Sequence, residues 1–73
     1  MSEIKATMAG MVFNVFVQQG ASVAKGEVVV VLESMKMEIP HAAPYKCKVV
    51  NVFVQEGDFV NEGDSLIQVE KLG

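Results

Sequence analysis

The amino-acid sequence predicts an all-β domain, a flattened barrel of two packed antiparallel sheets. Fourteen of the 73 residues are valine, a β-branched residue that favours strands. Short apolar stretches are separated by glycine turns, and part of the sequence occurs twice. Compact domains usually run to about 100 residues or more, so we expect one domain over residues 1–73.

The repeat appears when the sequence is shifted by 37 positions, which aligns residues 6–33 with residues 43–70 without a gap. Eleven of the 28 aligned positions are identical. These pairs are Ala6/Ala43, Val12/Val49, Asn14/Asn51, Val15/Val52, Phe16/Phe53, Val17/Val54, Gln18/Gln55, Gly20/Gly57, Val23/Val60, Gly26/Gly63 and Glu33/Glu70. One copy alone would be a ribbon with an apolar face and unpaired edges. Two copies that cover each other close into two sheets related by a pseudo-twofold axis.

Each copy has the same order of elements. An extended apolar stretch comes first, at residues 12–17 and 49–54. A glycine turn follows, then a short piece anchored by a valine, a second glycine turn and a final strand. Glycine is favoured at such turns because it adopts positive φ without steric cost.

Residues 34–42 join the two copies and are not repeated. Residues 28–33 are expected to form a strand, and residues 38–42 a return strand that ends before Pro44. Residues 34–37 are then the tip of a hairpin. This arrangement presents Lys36 at the end of the molecule opposite the termini.

Composition and charge exclude several classes of function. Six lysines, no arginine and nine carboxylates give a net charge of −3, which argues against a nucleic-acid partner. With one cysteine and one histidine, neither an internal disulfide nor a metal site is expected. We expect Cys47 to be a small apolar filler and His41 a partly exposed residue of the return strand, not a catalytic base.

The N-terminal residues lack the pattern of a secretion signal, and the longest apolar run, residues 28–32, is too short to cross a bilayer. A single cysteine is also typical of a reducing compartment. We therefore expect a cytoplasmic protein with no membrane partner, monomeric in isolation.

The proposed tip contains two methionines around a lysine, although turns usually contain Gly, Asn, Asp, Ser or Pro. Methionine is flexible and polarisable and serves surfaces that partners bind. A protruding Lys36 between Met35 and Met37 suits an enzyme that must acylate one amine among six. The alternative is an ordinary solvated lysine with both methionines packed into the end of the barrel.

The sequence resembles a known family at this point. The run Glu33-Ser34-Met35-Lys36-Met37-Glu38, the Ala43-Pro44 that follows and the Glu56-Gly57-Asp58 turn resemble the biotinyl domain of biotin-dependent carboxylases, within the biotin/lipoyl attachment family. The resemblance extends from about Ala6 to Glu70 and implies a barrel-sandwich hybrid of two four-stranded antiparallel sheets. The gapless offset leaves no room for a thumb insertion, so the chain is similar to the small stand-alone, thumbless members. Many members have glycine where Cys47 stands, and its counterpart Gly10 keeps that glycine.

The resemblance implies a biotin carboxyl carrier with biotin joined to Lys36 as an amide. Such a carrier is not catalytic, and it moves a carboxyl group between the biotin carboxylase and carboxyltransferase subunits of a carboxylase. A biotin protein ligase would attach the biotin, with Met35 and Met37 as its recognition residues. Glu33 and Glu38 are weaker candidates for recognition. Glu33 has a twin in Glu70, so a structural role is equally open, whereas Glu38 has none.

Two other functions remain open. Lipoyl carriers share the fold and the lysine-tipped hairpin, but generally have Asp-Lys-Ala at the tip, and small stand-alone members could accept either biotin or lipoate. The third reading is an unmodified interaction domain in which Lys36 stays bare.

Overall fold

A computed structural model describes residues 1–73 and contains eight strands. They are β1 (Ser2–Lys5), β2 (Gly10–Val15), β3 (Ser22–Val23), β4 (Val28–Ser34), β5 (Met37–Ala42), β6 (Cys47–Val52), β7 (Phe59–Val60) and β8 (Ser65–Lys71). They form two four-stranded sheets, with strand orders β1-β8-β6-β3 and β5-β4-β2-β7, in which every pairing is antiparallel. We call these the terminal sheet and the hairpin sheet. The predicted all-β sandwich is confirmed, and no helix is long and apolar enough to cross a membrane.

The 37-residue repeat is also the symmetry of the fold. Adding 37 to the residue numbers relates β1 to β5, β2 to β6, β3 to β7 and β4 to β8, and it converts the order of one sheet into that of the other. Each sheet takes two strands from each copy. The copies are therefore interleaved, and neither forms a sheet of its own.

The structural repeat begins earlier than sequence identity indicates. β1 has no identical residue in common with its counterpart β5, so residues 39–42 are expected from the sequence to be unrepeated. In the structure, Ile4 lies opposite Ile67 and His41 lies opposite Val30, at equivalent points of the two sheets. Both inward-facing residues, Ile4 and His41, are buried, but their identities have diverged like those of the other residues of the two strands.

Strands β2 and β6 begin and end two residues earlier than the apolar stretches at 12–17 and 49–54 predict. The reason is that Val17 and Val54 still pack against the core after the strand pairing has ended. Contact with the core therefore extends beyond the hydrogen-bonded ladder at these valines, whereas Phe16 and Phe53 in the same stretches are exposed.

The glycine turns join each copy to the other. Gly20 and Gly57 have φ of 92° and 95°, and their N–H groups donate to the carbonyls of Val49 and Val12 at 2.8 and 2.9 Å. No atom lies within 4 Å of a Cβ placed at either glycine. Glycine is therefore required by the backbone conformation and not by a lack of space. The predicted glycine turns are confirmed.

The core consists of inward-facing residues from both sheets. Pseudo-symmetric pairs such as Val12 and Val49 are almost completely buried. Cys47 is completely buried among them, which confirms its role as an apolar filler. Burial raises the pKa of the Cys47 thiol, and the nearby charge of Glu27 adds to this effect.

His41 is buried, with 5% of its surface exposed, so the expectation of a partly exposed residue is wrong. It occupies the core position that Ile4 fills in the other sheet. Its Nε2 accepts the Thr7 N–H at 3.0 Å and lies 3.1 Å from the Thr7 hydroxyl, while its Nδ1 lies 3.2 Å from the carbonyl oxygen of Ile39. These contacts fit the neutral tautomer that carries its proton on Nδ1. Burial lowers the pKa of His41, and the bond to Ile39 partly offsets this.

We expect the stability of the domain to fall as the pH decreases through 6.5 toward the lower folded-state pKa of His41, because the unfolded chain then binds a proton that the folded core disfavours. Above 6.5 this contribution is fully present. Urea unfolding at a series of pH values measures it.

His41→Ile, which copies the residue at position 4, should remove this part of the pH dependence while the dependence from carboxylates remains. If the His41→Ile variant and the wild-type chain lose the same free energy of unfolding between pH 7.5 and 5.5, the assignment to His41 is wrong.

Candidate functional site: the Met-Lys-Met hairpin

The hairpin between β4 and β5 is paired up to its tip. Ser34 lies opposite Met37, which leaves Met35 and Lys36 as a two-residue loop with φ of 52° and 64°. Positive φ at both central residues is the geometry of a type I′ turn, which follows the twist of the flanking strands. The predicted tip at residues 34–37 is confirmed.

The residues of this turn do not suit its conformation. Type I′ turns favour Asn-Gly, and a left-handed conformation costs a residue with a side chain roughly 1–2 kcal/mol. The paired strands on either side maintain Met35 and Lys36 in this conformation. Turn preference therefore does not explain these two residues, and strain of this kind is concentrated at functional sites.

All three side chains of the motif project from the tip. Lys36 is exposed, and Met35 and Met37 are 86% and 53% exposed. The alternative in which the methionines pack into the end of the barrel is therefore wrong. The pseudo-twofold axis relates Lys36 to Gly73, so the tip and the C-terminal residues lie at opposite ends of a molecule 37 Å long.

Glu33 and Glu38 lie directly opposite each other one pair below the tip, and both are exposed. Like charges at directly opposed positions destabilise a sheet. The twin of Glu33, Glu70, lies opposite Lys48, which is a favourable pairing of charges. Glu33 itself lies opposite Met11 on its other side, so a structural role for Glu70 does not extend to Glu33.

Gly10 supports the hairpin from the neighbouring strand β2. A Cβ placed there would lie 2.7 Å from the carbonyl oxygen of Glu33 and 3.4 Å from the Cβ of Ser34. The other copy accommodates Cys47 at the equivalent place. We did not identify Gly10 as a site residue from the sequence, although its mismatch with Cys47 in the repeat was the available signal.

The arrangement suits a substrate amine better than a catalytic centre. His41 and Cys47 are both buried, so neither supplies a base or nucleophile at the surface. An exposed Lys36 at the end of a narrow hairpin is open to an enzyme from most directions. Covalent attachment of a small acyl group requires no cavity in the chain, so the residues present fit such a group.

Comparison with known proteins places these features in a family. The family model described as "Biotin-requiring enzyme", named Biotin_lipoyl, matches residues 2–69. The biotinylated protein TB7.3 of Mycobacterium tuberculosis strain H37Rv is 50% identical over 38 residues, which cover 52% of this chain and 54% of that protein. The chain thus spans about half the length of such curated relatives.

Solved structures resemble this chain over almost its whole length. A single-chain, multi-domain long-chain acyl-CoA carboxylase matches with a TM-score of 0.93 and 36% identity, covering 99% of this chain and 7% of that chain. The lipoyl domain of the 2-oxoglutarate dehydrogenase complex from Azotobacter vinelandii matches with a TM-score of 0.84 and 25% identity, covering all of both chains. The family model and the biotinylated relatives support covalently bound biotin as the cofactor.

Gly10→Ala should destabilise the domain by about 1–3 kcal/mol, because the new methyl group pushes the backbone of Glu33 away. Hydrogen exchange should also become faster in the amides of β4 and β5 near the tip. Chemical denaturation and amide exchange measured by NMR test both effects.

Cys47→Ala is the matched control, since it changes the equivalent position of the other copy. It should leave exchange at the hairpin unchanged. Unaltered stability and exchange in Gly10→Ala would show that the close approach of the two strands is not required.

Proposed function

Because the chain belongs to the biotin/lipoyl attachment family, we propose that it is a biotin carboxyl carrier with biotin attached to Lys36. The observation that carries this proposal is an exposed lysine between two exposed methionines on a strained two-residue turn. The chain acts as a non-catalytic component, and its partners are a biotin protein ligase and the biotin carboxylase and carboxyltransferase subunits of a carboxylase.

Attachment is an acyl transfer to the Lys36 amine. The ligase would supply the biotinyl adenylate, formed from biotin and ATP with release of pyrophosphate, and the neutral Nζ of Lys36 would attack its acyl carbon. A C–N amide bond forms, the bond from that carbon to the phosphate oxygen breaks, AMP leaves, and the amine proton passes to a base of the ligase or to water. The product has no charge at Lys36, as in other lysine acylations.

The residues of the hairpin divide the remaining work. Bound biotin supplies a ureido nitrogen that accepts and releases the carboxyl group, and the protein supplies delivery. The paired strands β4 and β5 hold Lys36 beyond the barrel, so the arm can enter a recessed active site. Met35 and Met37 offer polarisable contact surface to the ligase. Glu33 and Glu38, two negative charges that lie opposite each other, offer an acidic recognition point just behind the methionines.

A lipoyl carrier is the second candidate, supported by the likeness to a complete lipoyl domain. The Met-Lys-Met tip argues for biotin, because lipoyl domains generally have Asp-Lys-Ala there. An unmodified interaction domain is a weaker explanation, since it gives no reason for a strained turn that exposes a lysine.

Intact-protein mass spectrometry with peptide mapping, on the chain purified from its native cells, tests the proposal. We expect a biotin-sized increment on Lys36. A lipoyl-sized increment would establish the second candidate, and an unmodified Lys36 would favour the interaction domain.

Lys36→Ala should abolish labelling by the ligase and leave the fold intact. The side chain buries little apolar area, and alanine has the same steric cost as lysine at a positive φ, so unfolding should shift by less than about 0.5 kcal/mol. Streptavidin blotting and thermal unfolding measure the two effects. Labelling of the variant at another lysine would remove the assignment to Lys36.

Met35→Asp combined with Met37→Ala should shift acceptance from the biotin ligase toward the lipoate ligase, because it copies the tip of lipoyl domains. Single-turnover labelling with each purified ligase gives the ratio of the two rates. The control is Met8→Ala, a methionine outside the motif. Unchanged rates with both ligases would show that recognition depends on other residues.

A further inference from the structure

The two ends of the molecule differ in charge. Gly57 and Gly63 donate to the carbonyls of Val12 and Ala6, which fixes the turns at residues 55–58 and 61–64 at the same end as the hairpin. Six of the nine carboxylates lie on the hairpin and these two turns. They are Glu33, Glu38, Glu56, Asp58, Glu62 and Asp64.

Four of the six pseudo-twofold counterparts of these residues carry no carboxylate, so the fold does not require the charge at those four positions. At the position of Asp64 it is kept, because Asp64 and its counterpart Glu27 each accept a backbone N–H within their turn. The counterparts are Glu70, Met1, Gln19, Ala21, Lys25 and Glu27, with two carboxylates and one lysine among them. Lys5 and Lys36 are the lysines of the hairpin end, and the other four lie toward the opposite end. Acylation of Lys36 removes one of these two cations and makes the hairpin end more acidic.

An apolar patch on the outer face of the hairpin sheet lies within this acidic end. Phe59 lies directly opposite Met11, and they are 69% and 50% exposed. Phe13, two residues along β2 from Met11, is 46% exposed and lies where the pairing of β2 with β4 shifts register. We call Met11, Phe13 and Phe59 the β2–β7 patch.

The patch is joined to the hairpin, and its Met11–Phe59 pair has no apolar counterpart in the other sheet, although Phe13 corresponds to Val50. Met11 lies opposite Glu33, and Glu33 lies opposite Glu38, so one row of residues runs from Phe59 to the strands that carry Lys36. The counterparts of Met11 and Phe59 are Lys48 and Ser22, which also pair with each other. The same position in the fold is therefore polar in one sheet and apolar in the other.

We propose that the β2–β7 patch and the acidic turns around it form the docking surface for the biotin protein ligase, which presents an apolar pocket bordered by cationic side chains. This inference rests on the proposed function. The ligase must hold an anionic acyl adenylate where Lys36 enters, so its entrance carries positive charge that complements the hairpin end. A second copy of the chain, or an anionic membrane, would bring negative charge against negative charge.

Lys36→Ala provides a direct binding assay, because it cannot be acylated but keeps the docking surface. It should inhibit labelling of the wild-type chain competitively. Adding Met11→Thr and Phe59→Ser, which leaves the net charge unchanged, should raise the inhibition constant about tenfold, since exposed aromatic and methionine anchors dominate such contacts. The same pair in the chain with Lys36 should lower kcat/KM for labelling by a similar factor.

Phe16→Ser is the matched control, because Phe16 is an exposed aromatic residue that follows the other end of β2. It should change the inhibition constant less than twofold. Glu56→Gln with Glu62→Gln should weaken the salt dependence of kcat/KM, whereas Glu3→Gln with Glu70→Gln, the same change of charge elsewhere, should not.

The docking surface would be overturned if adding Met11→Thr and Phe59→Ser to the Lys36→Ala chain left both its inhibition constant and its melting temperature unchanged. A wild-type dimer in sedimentation that the same two substitutions dissociate would assign the patch to self-association and overturn it as well. The proposed function fails separately, if saturating ligase, biotin and ATP attach no biotin to Lys36.

Discussion

The fold depends on the backbone hydrogen bonds that connect each glycine turn to the other copy. Strands β3 and β7 have only two residues each, too few to protect the edges of the sheets by pairing alone. The N–H groups of Gly20 and Gly57, at turns that need positive φ, donate to the carbonyls of Val49 and Val12 in the opposite copy. In a chain of this size, where the core is small, such bonds close the barrel without additional residues.

At one end of this closed frame the β4–β5 hairpin carries Lys36 on an exposed tip. Its tip is strained, and the pairing of β4 with β5 up to Ser34 and Met37 holds it in place. A rigid base and an exposed end suit the proposed carrier role, in which the lysine keeps a defined position while an attached arm moves. Gly10 allows β2 to pack closely against Glu33 at the base of the hairpin, and Met35 and Met37 are exposed at its tip.

The sequence allowed much of this to be predicted, for physical reasons that differ between residues. The repeat showed the glycine turns and the two-sheet symmetry, since turns and core positions restrict the choice of residue. The hairpin could be predicted because residues 34–42 join the two copies and are not repeated. His41 could not be placed, because a histidine aligned with Ile4 gives no identity, and only the hydrogen bonds to Thr7 and Ile39 make its burial tolerable. The contact of Gly10 with Glu33 depends on strand register, which composition does not report.

The internal repeat also separates what folding requires from what function requires. Two copies that solve the same folding problem should both bury apolar residues at core positions, and pairs such as Val12 and Val49 do so, with His41 as the exception. They differ at Met11 and Lys48, and at Phe59 and Ser22, on equivalent exposed positions of equivalent strands. Folding tolerates either residue at each position, so the apolar pair beside the hairpin requires another cause. A partner that must come close to Lys36 is such a cause, and it acts on one copy only, because only one copy continues into the hairpin tip.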